Sequence, residues 1–216
     1  MTRLVLLGRQ GAGKGTQAGR LAARYGIPHV STGDLLREAV RLGSDFGRKA
    51  KEYMDRGELL PDDVMVGIVE DRLAMPDAAL GYILDGFPRT ALQAEALDEL
   101  TGDRPIDVVV DIDVPEEVVV ERISSRRVCV DCGALYSTAA PPSSDWTCDV
   151  CGGRVVQRDD DTDDAVRRRL ALYEELTRPL LEFYASQGKL VTVDGLAEAD
   201  EVNARIVAAV DGRMHR

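Results

Sequence analysis

Long hydrophobic runs are missing from this chain of 216 residues. Apolar stretches such as Val108–Val110 and Val118–Val120 stop after a few residues, far short of the ~20 that a membrane-spanning helix requires. A surplus of positive charge is missing too: 27 Lys and Arg face 38 Asp and Glu, a formal net charge of −11. That balance argues against a long nucleic-acid-binding surface, which carries a basic excess. It leaves room for a small anionic ligand, for which a local cluster of arginines suffices. Histidine is nearly absent, and His29 and His215 stand outside any metal-ligand spacing, so neither is given a role. No basic-then-apolar leader precedes the first apolar segment, which points to the cytosol. No internal repeat, low-complexity linker or surplus apolar stripe is visible, and a monomer is expected.

What is present fits an ordinary soluble protein, with 44% hydrophobic and 30% charged residues. One main domain with an elaboration or two is the natural reading for this length. Short apolar runs at Leu4–Leu7, Tyr82–Leu84, Val108–Ile112 and Leu190–Val193 have strand length and end near Gly or Asp. Between them lie amphipathic segments, among them Pro115–Ser124 and Ala165–Ala185, the second with a kink expected at Pro179. Alternating strand and helix predicts an α/β fold with a parallel sheet covered on both faces. Two segments break the alternation. Residues 31–60 read as consecutive short helices, and residues 126–161 are rich in Cys, Gly, Pro, Ser and Asp. The latter has too few aliphatics for a core of its own and calls for a metal staple.

The stretch LVLLGRQGAGKGTQ, residues 4–17, is nearly the phosphate-cradling pattern G-x-x-x-x-G-K-[ST]. A strand, a glycine loop and a helix in that order surround phosphate oxygens with backbone N–H groups, and Lys14 adds a point charge. A glycine-rich turn without a ligand is the plainer alternative. Gly15 stands where a magnesium-binding hydroxyl is usual, and Thr16 supplies one a position late. Magnesium would then be held through phosphates, water and nearby carboxylates, with Asp34 and Asp85 as candidates.

The four cysteines fall as Cys129-x2-Cys132-x15-Cys148-x2-Cys151, a four-thiolate zinc spacing. Gly133 and Gly152 each follow a pair, where such turns often need positive φ. Two disulfides or unligated thiols are the alternatives, and a reducing compartment favours zinc. With all four positions filled by sulfur the ion would be structural.

GAGKGTQ (11–17), STGDLLR (31–37) and LDGFPRT (84–90) occur together in this order. The set resembles the adenylate kinase family, of the zinc-containing, long-lid bacterial type, and the likeness extends from residue 1 to about 210. That family carries Gly after the loop Lys. The resemblance implies the P-loop nucleoside monophosphate kinase fold: a core of residues 1–30, 61–125 and 162–216, a helical AMP-binding part at 31–60, and a zinc-bound lid at 126–161. It implies transfer of a phosphoryl group from Mg·ATP to AMP, giving two ADP, with Lys14, Arg89, Arg122, Arg126, Arg158 and Arg169 stabilising the charge. Arginine suits this work because its planar fork pairs with phosphate oxygens and keeps its charge. By the same matching Gly11, Ala12, Gly13, Lys14, Gly15, Thr16, Arg126, Tyr136 and Ala197 form the ATP site. Thr32, Arg37, Glu58, Leu59, Leu60, Gly86, Phe87, Pro88, Arg89, Gln93, Arg158 and Arg169 form the AMP site, with Gln93 on the adenine edge. Asp160 and Asp161 belong to the lid hinge.

Two residues depart from the family pattern. Gln10 replaces the usual loop proline, and the region of Ala140 lacks the aromatic that stacks on adenine, which bears on selectivity for ATP among triphosphates. Trp146 is read as a packed lid residue, and the run at 159–164 as acidic residues suited to a helix N-terminus. A GTP donor, or UMP or CMP as acceptor, is the nearest alternative. A zinc ribbon on a nucleic-acid-dependent ATPase would need basic and aromatic residues around the cysteines, where Asp131, Asp145 and Asp149 stand instead. A regulatory module that holds nucleotide without turnover is disfavoured by the arginine set.

Overall fold

The computed structural model describes residues 2–214, so His215 lies outside the described residues. Strand β1 (Thr2–Leu7) is buried along its whole length. Around it lie β2 (His29–Ser31), β3 (Gly81–Asp85), β4 (Val108–Asp113) and β8 (Leu190–Asp194), all parallel, in the order β2-β3-β1-β4-β8. Leu4 pairs with Ile83 on one side and Val108 on the other.

Side chains alternate across the sheet, and each face has its own helices. Leu4 and Leu6 join the core made with α1 (Lys14–Tyr25), α6 (Glu116–Ser125), α7 (Asp163–Leu172) and α9 (Ala199–Met214). Val5 and Leu7 join the other, made with α4 (Asp62–Leu73), α5 (Ala91–Thr101) and α8 (Leu180–Ser186). Because the strands are parallel, Leu7, Ser31, Asp85, Asp113 and Asp194 all end on one edge of the sheet, where ligands of open α/β folds bind.

The four strands expected from sequence fall within β1, β3, β4 and β8. Strand β2 was not expected: three residues are too few to show an alternation. The helix expected over 165–185 is not one kinked helix. A wide turn at Tyr173–Thr177, closed by the Arg178 N–H donating to Tyr173 O at 2.8 Å, separates α7 from α8. Pro179 has no N–H to give to the preceding turn, so the helix widens before it rather than bending at it.

Residues 31–60 carry α2 (Thr32–Arg41) and α3 (Asp45–Arg56), as their composition suggests. Ser31 caps the first by accepting from the Asp34 N–H, and Ser44 caps the second by accepting from the Gly47 N–H. Residues 126–161 hold a small antiparallel sheet of β5 (Arg126–Cys129), β6 (Leu135–Ser137) and β7 (Val155–Val156). Its buried core is only Cys129, Cys148 and Val155. The acidic run at 159–164 divides: Asp163 and Asp164 sit in the first turn of α7, while Asp160 and Asp161 turn towards arginines. Among the described residues no helix is long and apolar enough to cross a membrane.

Candidate active site

A strand that ends at Leu7 and a helix that begins at Lys14 leave the glycine loop on the sheet edge. Gly8, Gly11 and Gly13 all take positive φ, and Gly13 is the N-cap of α1, so the helix opens towards the loop. Lys14 Nζ folds back over it, donating to Gly8 O at 2.7 Å and Arg9 O at 2.9 Å. Burial lowers the Lys14 pKa to about 8, against the pull of Asp85. A Cβ added at Gly15 would stand 3.6 Å from Asp85 Oδ2, so the helix start and the end of β3 face each other.

The loop forms one wall of a cleft of about 1340 Å³ between the sheet edge, α2–α3 and the small antiparallel sheet. Of the residues assigned to nucleotides from sequence, all line this cleft except Phe87, which is buried at 1% exposure in the core. Arg89 Nε donates to Gly86 O at 2.8 Å, and Thr32 Oγ1 donates to the same carbonyl at 2.9 Å. Gly86 has φ of 82°, and a Cβ there would lie 2.8 Å from both Thr32 Oγ1 and a terminal nitrogen of Arg89, which requires glycine. The Phe87–Pro88 bond that follows is cis. Glu58 accepts from Arg56 Nε at 2.9 Å beside Leu59 and buried Leu60. Gln93 is buried, with Nε2 donating to Asp62 Oδ1 at 2.7 Å and Oε1 accepting from the Arg89 N–H at 2.8 Å.

Cations crowd the middle of the cleft. Arg122 donates to Gly195 O at 3.1 Å, beside Ala197 on the cleft wall. Arg126 grips Asp161 at 2.9 and 2.5 Å, and Arg169 donates to Asp160 Oδ2 at 2.7 Å and Met54 O at 3.2 Å. Arg37 pairs with Asp34 on α2. Burial pushes Asp34 up, but Arg37, Ser31 and Arg158 outweigh it and hold its carboxyl below the usual range. Burial also lowers Arg89 despite Asp85, with Arg169 and Arg37 adding to the shift. Arg158 has a buried Nε without a partner among the described residues, and burial together with Arg37 and Arg126 pushes it down to about 10. Such a set is poised for a polyanion.

A family model described as adenylate kinase matches residues 6–189. The chain belongs to the adenylate kinase family. It is 53% identical over 211 residues to the adenylate kinase of Archaeoglobus fulgidus, covering 96% of this chain and 97% of that one. It is 52% identical over 206 residues to the Kosmotoga olearia adenylate kinase, covering 94% and 96%, and 51% over 212 residues to that of Methanosarcina barkeri, covering 96% and 97%.

In this adenylate kinase family chain the four cysteines meet. Their Sγ atoms lie within 4.8 Å of one another, with Cys129–Cys151 at 3.5 Å and Cys132–Cys148 at 3.6 Å. Four thiolates about a tetrahedral ion at ~2.3 Å stand ~3.8 Å apart, so the donor set fits zinc in number, chemistry and spacing. Gly133 and Gly152 take φ of 75° and 77°, as the turns after each pair were expected to need. The Tyr136 hydroxyl donates to Cys148 Sγ at 3.4 Å and accepts from the Asp149 N–H at 2.8 Å, so its polar end braces the cysteine cluster. Trp146 is 37% exposed with the Arg127 guanidinium over its ring at 5.9 Å.

Carboxylates near the phosphate loop divide in two. Asp85 faces Gly15 at the start of α1, whereas Asp34 is engaged by Arg37. His29, given no role from sequence, is half-buried on the cleft wall with Nε2 3.2 Å from Asp85 Oδ2. Asp62, the partner of Gln93, was also missed. Neither carries a sequence signal: each is a single polar residue at an element's first position, brought to its partner by the sheet order or by α4 and α5 packing together.

Proposed function

We propose that the protein catalyses reversible transfer of the γ-phosphoryl group of ATP to AMP, giving two ADP, as an adenine-nucleotide-balancing and salvage enzyme. One oxygen of the AMP phosphate attacks the γ-phosphorus, and the bond from that phosphorus to the β–γ bridging oxygen breaks. ADP leaves on the donor side with the bond's electron pair, and AMP becomes the second ADP. Little covalent chemistry is asked of the protein; its work is positioning and charge stabilisation.

The observation that carries the reading is the arginine cluster. In a chain of net charge −11, Arg89 and Arg158 are half-buried around one cleft, where desolvation and then neighbouring arginines disfavour their charge. The facing phosphates of ATP and AMP would relieve that repulsion, and the transferring phosphoryl group would meet Lys14, Arg122, Arg126 and Arg169. The glycine loop through Thr16 takes the donor phosphates, with Tyr136 and Ala197 towards its base. The part at 31–60, with Thr32, Arg37, Glu58, Leu59, Leu60, Gly86–Arg89 and Gln93, takes AMP. Residues 126–161 act as the lid, which on closing excludes water that would otherwise accept the phosphoryl group.

Magnesium bound with ATP would neutralise phosphate charge, and Asp85 is the carboxylate best placed to reach its water shell. Zinc on Cys129, Cys132, Cys148 and Cys151 would hold the lid in one shape, with no open position for catalysis. The enzyme acts as a monomer in the cytoplasm. The test is ADP formation from ATP plus AMP, with each nucleotide alone as a control and AMP compared with GMP, CMP and UMP. ADP appearing only with both adenine nucleotides is expected; no acceptor-dependent ADP overturns the proposal.

A further inference from the structure

Gln10 reaches out of the phosphate loop to the far end of the lid. Its Nε2 donates to Asp161 Oδ1 at 3.3 Å, while its Oε1 is buried and has no partner among the described residues. Asp161 is the meeting point of three parts of the molecule. Its side chain is 0% exposed, it takes both prongs of Arg126 from the lid's entry strand, and Arg169 of α7 stands 4.0 Å away. Its own N–H donates to Arg158 O at 3.1 Å, which fixes the turn that leads out of the lid.

Under the proposed function Arg126 serves the donor phosphates, and this inference rests on that reading. The same guanidinium is committed to Asp161, so carboxylate and phosphate compete for it. A fully buried carboxylate stripped of a two-pronged partner is costly, because no water replaces the lost donors. Gln10 sits on the loop that wraps the phosphates and already points a donor at that carboxylate. We infer that Gln10 is a positioning residue: it keeps Asp161 hydrogen-bonded while Arg126 turns to the donor nucleotide, and so couples phosphate arrival to lid movement.

The experiment measures binding of a non-hydrolysable ATP analogue and of AMP by calorimetry on the full-length protein. The variants are Gln10→Ala, Gln10→Glu, Asp161→Asn and the double variant Gln10→Ala with Asp161→Asn. Trp146, the single tryptophan, reports lid movement by stopped-flow fluorescence. Gln10→Ala is expected to weaken the analogue by about tenfold, the loss of one hydrogen bond to a charged group, and to slow the fluorescence change. AMP affinity stays at the wild-type value, which separates this role from general loosening of the fold. Gln10→Glu, equal in size but repelling Asp161, weakens the analogue further, and in the Asp161→Asn background Gln10→Ala has no added effect. Analogue binding within about twofold of wild type in Gln10→Ala, or fully additive losses in the double variant, overturns the inference. Arg126→Gln separates the two ideas: unchanged analogue binding there removes the reading of Arg126 itself, whereas dependence on Arg126 without dependence on Gln10 removes the inference alone.

Discussion

Gln93 and Asp62 hold each other across two helices: the Gln93 amide nitrogen donates to the Asp62 carboxylate at 2.7 Å, fixing which way the buried amide faces. An amide assigned to read a nucleobase is useful only if its donor and acceptor ends are not free to exchange. Asp62→Ala removes that constraint while leaving Gln93 in place. The Michaelis constant for AMP is expected to rise about three- to tenfold, with kcat little changed and discrimination against GMP reduced, the loss of one charge-assisted hydrogen bond. Steady-state kinetics with both acceptors checks this; an unchanged AMP constant would remove Asp62 from the acceptor site.

Arg158, under the proposed function, carries a cost in stability for activity. Among the described residues its buried Nε has no partner, and burial with Arg37 and Arg126 disfavours its charge more than Asp160 and Asp161 favour it. Arg158→Met fills the same space without charge. Turnover is expected to fall by about a hundredfold or more, and Arg89→Ala by several orders of magnitude, as for arginines on a transferring phosphoryl group. The melting temperature of Arg158→Met without nucleotide is expected to rise by a few degrees, since a charge that desolvation and two neighbouring arginines disfavour has gone. A thermal scan beside a coupled assay reads both, and a lowered melting temperature would contradict the electrostatic account.

Asp111 on β4 is 4% exposed, and burial, with Asp113 adding, pushes its carboxyl up to about 6. The folded protein therefore binds this proton more tightly than the unfolded chain does. Stability from this group is greatest below the unfolded value near 3.8 and is lost as pH rises through about 6. Asp111→Asn cannot ionise. It is expected to stabilise the protein by on the order of 2 kcal/mol at pH 8, with the gain fading towards pH 4. Urea unfolding of both proteins at the two pH values measures the difference; a gain that grows on acidification would refute the assignment.

Zinc removal should act locally before it acts globally. The buried core of residues 126–161 is Cys129, Cys148 and Val155, too little apolar surface to order its strands alone. A strong chelator is expected to shift the Trp146 emission and lower activity while the helical signal of the core stays intact, with about one zinc released per chain. Metal analysis finding no zinc in freshly purified protein would dismiss the ion altogether.

The phosphate loop was legible in the sequence because glycine spacing and Lys14 announce a backbone conformation that few other residues permit. The cysteine cluster was legible for a similar reason, since two equally spaced pairs can converge on one ion. The four longer strands declared themselves by aliphatic runs. What stayed hidden depends on distance in sequence: β2 becomes a strand only because β3 lies beside it, and the wide turn before Pro179 arises from how a helix relieves a missing donor. The Gln93–Asp62 and His29–Asp85 contacts join single polar residues separated by 31 and 56 positions, with no local pattern to advertise them.

The pairing of Arg126 with Asp161 also brings the first and last residues of the zinc-spacing segment to within hydrogen-bonding reach of each other. A segment whose two ends meet behaves as an attachment on a narrow stalk. It can be shortened, replaced or restyled, with cysteines or without them, while the parallel sheet beneath keeps its register. Variation among such enzymes is therefore expected to concentrate in this appendage, leaving the edge that carries the phosphate loop unchanged.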